Sequence, residues 1–204
     1  MNEGLWSTER IAGAALTVST LILVAAFALL VARRALPAVF ALLEGSLEEV
    51  AQHVSTFRSV NLMYGAGWIL QLLGFGMLTI RLREIGDGTI SSLALILLGF
   101  AAMLGALEAT FHMSVTTWAA QEAARTSNVP SFYEPLRHWV NVSIQQIYTV
   151  LGLLALAGYG WALIQTELVP LWVGWASMGW GLVWIVALLM TRGTIPAVLF
   201  IMPP

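Results

Sequence analysis

Glu108 and His112 stand four residues apart inside an otherwise apolar stretch, so on a helix they share one face and can touch. A carboxyl beside an imidazole can relay a proton or serve as a general acid–base pair. It can also give two ligands to a metal completed by His138, His53 or Glu134, the candidate set being His112, Glu108, His138 and His53. His112 alone can be the single axial ligand of a haem or chlorophyll-like tetrapyrrole. The chain has no cysteine, which excludes disulfides, thiolate zinc sites, iron–sulfur clusters and nucleophilic thiols. Any metal here uses imidazole and oxygen. No HExxH motif, glycine-rich phosphate loop or nucleophile elbow is present.

Polar residues recur at helical spacing around that pair. Asn61, Tyr64, Trp68 and Gln71 advance by three or four, as do His138, Asn141, Gln145, Tyr148 and Gly152. Ala101, Gly105 and Ala109 give the Glu108 helix a small-residue face for close approach to a neighbour. The candidate ligand- or cofactor-binding residues are therefore Glu108, His112, Asn61, Tyr64, Asn141 and Gln145. The competing reading of the amides is structural: Asn and Gln in a membrane often only bond neighbouring helices, at about 0.6–2 kcal/mol each. Glu108 differs, because an ionisable group inside a span is costly enough to make function the default reading.

The elements that must position these residues follow from where charge is missing. Of 204 residues, 59% are hydrophobic and 10% charged, against about 25% charged in ordinary soluble domains. Nine arginines, no lysine and a net charge of −2 leave no basic surface for phosphates, which excludes nucleic-acid binding. Crossing about 30 Å of hydrocarbon takes about 20 apolar residues. Five runs qualify, at about 11–32, 59–80, 89–118, 138–164 and 168–191. Lacking the alternation of barrel strands, they are expected as helices that satisfy their own backbone. The fold class is all-α, a polytopic transmembrane helical bundle forming one domain over 1–204. The first run is read as a retained span, since acidic Glu3 and Glu9 precede it and no small-residue cleavage site follows. Val39, Leu43, Leu47, Val50 and Val54 oppose Glu44, Glu48, Glu49 and His53, which predicts an amphipathic interfacial helix at about 38–55. The tail Gly193 to Pro204 is too short to span and contains three prolines; it is expected as the start of a partial sixth helix.

With the N-terminus on side A, the loops at about 33–58 and 119–137 lie on side B. Arg10, Arg81 and Arg83 then fall on side A and Arg33, Arg34, Arg58, Arg125, Arg137 and Arg192 on side B. The larger group favours side B as cytoplasmic, while the compact Arg81/Arg83 turn pulls the other way. Trp118 and Trp139 on side B, and Trp6, Trp161 and Trp172 on side A, suit interfacial belts; Trp175, Trp180 and Trp184 are expected in lipid contact or helix packing. The second and fourth helices enter from side B and the third leaves there. Their polar groups are thus expected to meet in a side B vestibule beneath the two loops, with nothing comparable on side A.

The layout resembles a family of bacterial polytopic membrane proteins of unknown function. The resemblance lies in the first span with its amphipathic loop, the Arg81-Leu82-Arg83-Glu84 turn, the Leu171-Trp172-Val173-Gly174-Trp175 start of the fifth helix, and the Ile195-Pro196 and Met202-Pro203-Pro204 segment. It implies a bacterial cytoplasmic membrane and no defined activity. The residues suggest an accessory subunit of a larger membrane complex that binds a small ligand or cofactor, a metal ion or tetrapyrrole, with lipid bound and other membrane subunits as partners. The alternative is an enzyme or proton-coupled carrier using Glu108 and His112. Apart from Pro170 at the entry to the fifth, no proline falls in the five spans and no internal repeat is found, so the usual signature of a transporter is missing.

Overall fold

The computed structural model describes residues 7–33 and 47–190. They form α1 (Thr8–Ala32), α2 (Glu48–Gln52), α3 (Val54–Glu84), α4 (Ile90–Phe111), a π-helical turn (His112–Thr116), α5 (Thr117–Thr126), α6 (Tyr133–Trp139), a second π-helical turn (Val140–Gln145), α7 (Gln146–Thr166) and α8 (Leu171–Met190). No strand occurs among the described residues. Five helical rods are long and apolar enough to cross a membrane: Arg10–Ala32, Val54–Glu84, Ile90–Thr126, Tyr133–Thr166 and Leu171–Met190. The chain has the helices of an integral membrane protein. A helix bonds every backbone group within itself, which hydrocarbon demands.

Local chemistry sets the ends of the rods. Ser7 caps α1, its Oγ accepting from the Arg10 N–H at 3.4 Å. The α3–α4 connection turns on Gly86, whose φ of +111° suits a residue without Cβ. Ser127 and Glu167 take left-handed conformations that stop α5 and α7, and Pro170 precedes α8.

The rods pack in the spatial order α1, α3, α4, α7, α8, with α2 lying on α5. Ser19 Oγ of α1 donates to the Gly67 carbonyl of α3 at 3.1 Å. At the other flank Gly160 and Gly174 bring the α7 and α8 backbones together; a Cβ on Gly160 would stand 2.5 Å from the Met178 nitrogen. The outer flanks are apolar and exposed, with Trp172, Trp175 and Trp180 along α8. The α4–α7 pair occupies the middle, where Ala94, Leu98, Ala101 and Ala155 are buried.

The rods run longer than the apolar intervals. The third continues as helix to Thr126 and the fourth starts at Tyr133, so the 119–137 loop shrinks to 127–132. Charge ends a hydrocarbon span without ending a helix, and the exposed turns are held by Arg125–Glu122 and Arg137–Glu134 pairs at 2.6 and 2.7 Å. The expected interfacial helix at 38–55 falls largely outside the described residues. Its described end is the short α2, broken at His53, where φ is −124°. Val50 is fully buried and α2 packs on α5, so this end is docked on protein. The expected partial sixth helix at 193–204 also lies outside the described residues.

Candidate functional site

Glu108 projects from α4 into the α3–α4–α7 junction and is 4% exposed. His112 follows one turn later, its Nε2 at 3.8 Å from Glu108 Oε1. Two phenols complete the surroundings: Tyr64 of α3 feels the charge of Glu108, and Tyr148 of α7 lies within reach of both Glu108 and Tyr64. Below them Trp68 packs edge-on against Tyr64 and Tyr148, at ring-centre distances of 6.2 and 5.7 Å. Gly105 makes room for that indole, since a Cβ there would stand 2.6 Å from Trp68 Nε1. Phe57 and Phe111 turn edges towards the His112 ring, at 6.2 and 5.2 Å. The carboxyl and imidazole therefore sit among aromatic rings, a low-dielectric setting that strengthens their mutual interaction.

The opposite edge of His112 is also occupied. Its Nδ1 lies 3.1 Å from Thr116 Oγ1, and the Tyr133 hydroxyl donates to the same oxygen at 3.3 Å. Thr116 and Tyr133 are fully buried. Glu108, His112 and Thr116 thus form one stripe at steps of four, anchored by a tyrosine from α6.

Both π-helical turns belong to this region. The first begins at His112 and packs on α3; the second spans Val140–Gln145, carries Asn141 and Gln145, and packs on α4. Such turns interrupt otherwise regular helices and are frequent at functional sites. Arg58 Nε donates to Thr117 Oγ1 at 3.2 Å, joining α3 to α5 just beyond the first of them.

The sequence-predicted residues separate into two groups. Glu108, His112 and Tyr64 come together, and Gln145 is buried on the second π turn at the α4 contact. Asn61 instead donates one of its two Nδ2 hydrogens to the Phe57 carbonyl of its own helix at 2.9 Å. Asn141 is half-buried, and among the described residues no hydrogen bond joins it to Glu108 or His112. His138 is exposed, and among the described residues no three His, Asp or Glu side chains gather as metal ligands. The set His112, Glu108, His138 and His53 is therefore not assembled into a metal centre: α6 turns His138 outward, and His53 lies at the break between α2 and α3.

Sequence reasoning passed over Tyr148, Thr116 and Tyr133 as site residues. The step of four from His112 to Thr116 was a readable signal; nothing in the spacing announces Tyr133, which arrives from another rod.

Side A also departs from expectation. Asp87, 3% exposed, accepts the Ser91 N–H on Oδ2 at 2.8 Å. Tyr159 OH lies 2.7 Å from Thr79 Oγ1 and donates to the Phe75 carbonyl at 3.2 Å. A second buried polar cluster thus exists at the opposite end of the same three rods.

Compared with family models, curated proteins and solved structures, the chain matches none.

Proposed function

We propose that this integral membrane protein works by exchanging a proton at Glu108, with His112 as its partner, as a proton-coupled carrier or enzyme. The observation that carries the reading is a carboxyl 4% exposed, inside a membrane rod, whose closest charge-bearing neighbour is an imidazole at 3.8 Å. A buried acid held by side chains whose own protonation can change suits proton transfer. A bacterial cytoplasmic membrane as its location is supported by the resemblance to bacterial membrane proteins.

A hydrophobic carbodiimide tests this, because it modifies protonated carboxyls in apolar surroundings. Protein in lipid bilayers should form an adduct at Glu108, slowed as the pH is raised, and peptide mass spectrometry should lose that adduct in Glu108→Gln. Absence of modification at Glu108 contradicts the reading.

A second reading, ligand binding by an accessory subunit, is favoured by one feature. Trp68 Nε1–H is buried without an acceptor, the nearby Tyr64 phenol being placed too poorly to bond it. An unspent donor beside two phenols and a carboxyl would suit a small ligand bearing an acceptor oxygen. Equilibrium quenching of tryptophan fluorescence by such a ligand, lost in Trp68→Phe, would support it.

A further inference from the structure

We infer that Thr116 and Tyr133 are positioning residues that lock His112 in its Nε2–H tautomer, so that the imidazole always presents a donor to Glu108. The inference deepens the proton-exchange reading and rests on it for its purpose, though its geometry stands separately.

Tyr133 OH donates to Thr116 Oγ1, so the Thr116 proton must go elsewhere. Its neighbours show the usual destination: Thr110, Ser114 and Thr117 donate to the carbonyls of Ala106, Thr110 and Met113, four residues back. Thr116 makes no such bond among the described residues. It lies in the π-helical turn, and its remaining partner is His112 Nδ1 at 3.1 Å. Thr116 therefore donates to Nδ1, Nδ1 is the acceptor, and the ring proton of a neutral His112 is on Nε2, which faces Glu108 Oε1. With Nδ1 already occupied by a donor, the imidazole cannot take a second proton there unless the Thr116 hydroxyl turns away. The neutral ring thus offers Glu108 a fixed N–H and no lone pair, and it gains a second proton only when the Thr116 hydroxyl turns away from Nδ1. Tyr133 is fully buried on α6, so the arrangement also couples the fold of the side B hairpin to the state of a membrane-embedded group.

Nitrogen-15 magnetic resonance of histidine-labelled protein in lipid bilayers reads the tautomer directly, with His112→Gln assigning the signals. At a pH where His112 is neutral, the wild type should show a protonated Nε2 and a bare Nδ1, favoured roughly tenfold or more over the other tautomer. Tyr133→Phe removes the donor that orients the Thr116 hydroxyl, and the preference for Nε2–H should weaken. Thr116→Ser keeps the hydroxyl and should keep the wild-type pattern, whereas Thr116→Val removes it and the ratio should fall towards an even mixture. A wild-type His112 protonated on Nδ1, or a tautomer ratio indifferent to Tyr133→Phe and Thr116→Val, overturns the inference. A correct tautomer in a protein whose Glu108 resists carbodiimide leaves the lock standing and removes the proton-exchange reading instead.

Discussion

The two buried acids among the described residues, Asp87 and Glu108, sit at opposite ends of the same three rods and are held in different ways. Asp87 lies ahead of α4, where a helix start offers free N–H groups, and its Oδ2 takes one from Ser91 at 2.8 Å. Nearby, Tyr159 ties α7 to α3 through Thr79 and the Phe75 carbonyl. Glu108 sits within the rod, where backbone donors are already used along the helix, and is left with an imidazole and two phenols. A carboxylate bonded by fixed backbone is a fastener. One surrounded by ionisable side chains is responsive, because each neighbour can change its own proton. Burial alone would have scored the two acids alike.

That contrast can be broken by substitution, and the largest effect belongs to Glu108. Glu108→Gln should abolish proton exchange at the site while moving the thermal unfolding midpoint in detergent little, since the amide keeps the size and the contacts. Gly105→Ala comes next: its methyl would stand 2.6 Å from Trp68 Nε1, and a rigid indole cannot yield without repacking. A stability loss of about 1–3 kcal/mol is expected, with a shift in tryptophan emission. Asp87→Ala should cost about 0.5–2 kcal/mol, the range for a lost helix cap, and leave the carbodiimide reaction at Glu108 unchanged. Tyr159→Phe should cost about 0.6–1.7 kcal/mol, as an interhelical hydrogen bond in a membrane does. Smallest is Asn61→Ala, expected within about 0.5 kcal/mol and without effect on proton exchange, because its amide serves its own helix. If Asp87→Ala abolished exchange and Glu108→Gln did not, the assignment of fastener and responsive site would be reversed.

Much of this architecture was legible in the sequence, and the missed parts have physical reasons. Five intervals free of charge but for Glu108 identify five rods because hydrocarbon excludes ionised groups, and that penalty acts locally along the chain. Glu108 and His112 are readable as a pair because helical spacing places residues four apart side by side. Spacing says which face a residue occupies but not which atom satisfies it, so Asn61 looked like a site residue while bonding Phe57. The side A cluster was illegible for a related cause: Asp87, Ser91, Thr79 and Tyr159 are scattered over a loop and three rods, and no single helix carries a stripe of them. The rods also outrun their apolar intervals, since arginine and glutamate end a span while extending a helix, as at Glu122 and Arg125.

The account depends most on Glu108 gaining and losing a proton reversibly inside the bundle. Infrared difference spectra of the protein in lipid bilayers, recorded between buffered steps from alkaline to acid pH, measure this through the stretching band of a protonated carboxyl. The prediction is a reversible band that shifts in heavy water and disappears in Glu108→Gln, while persisting in Asp87→Asn. A carboxyl band that survives Glu108→Gln unchanged, or none that responds to the step, would contradict it.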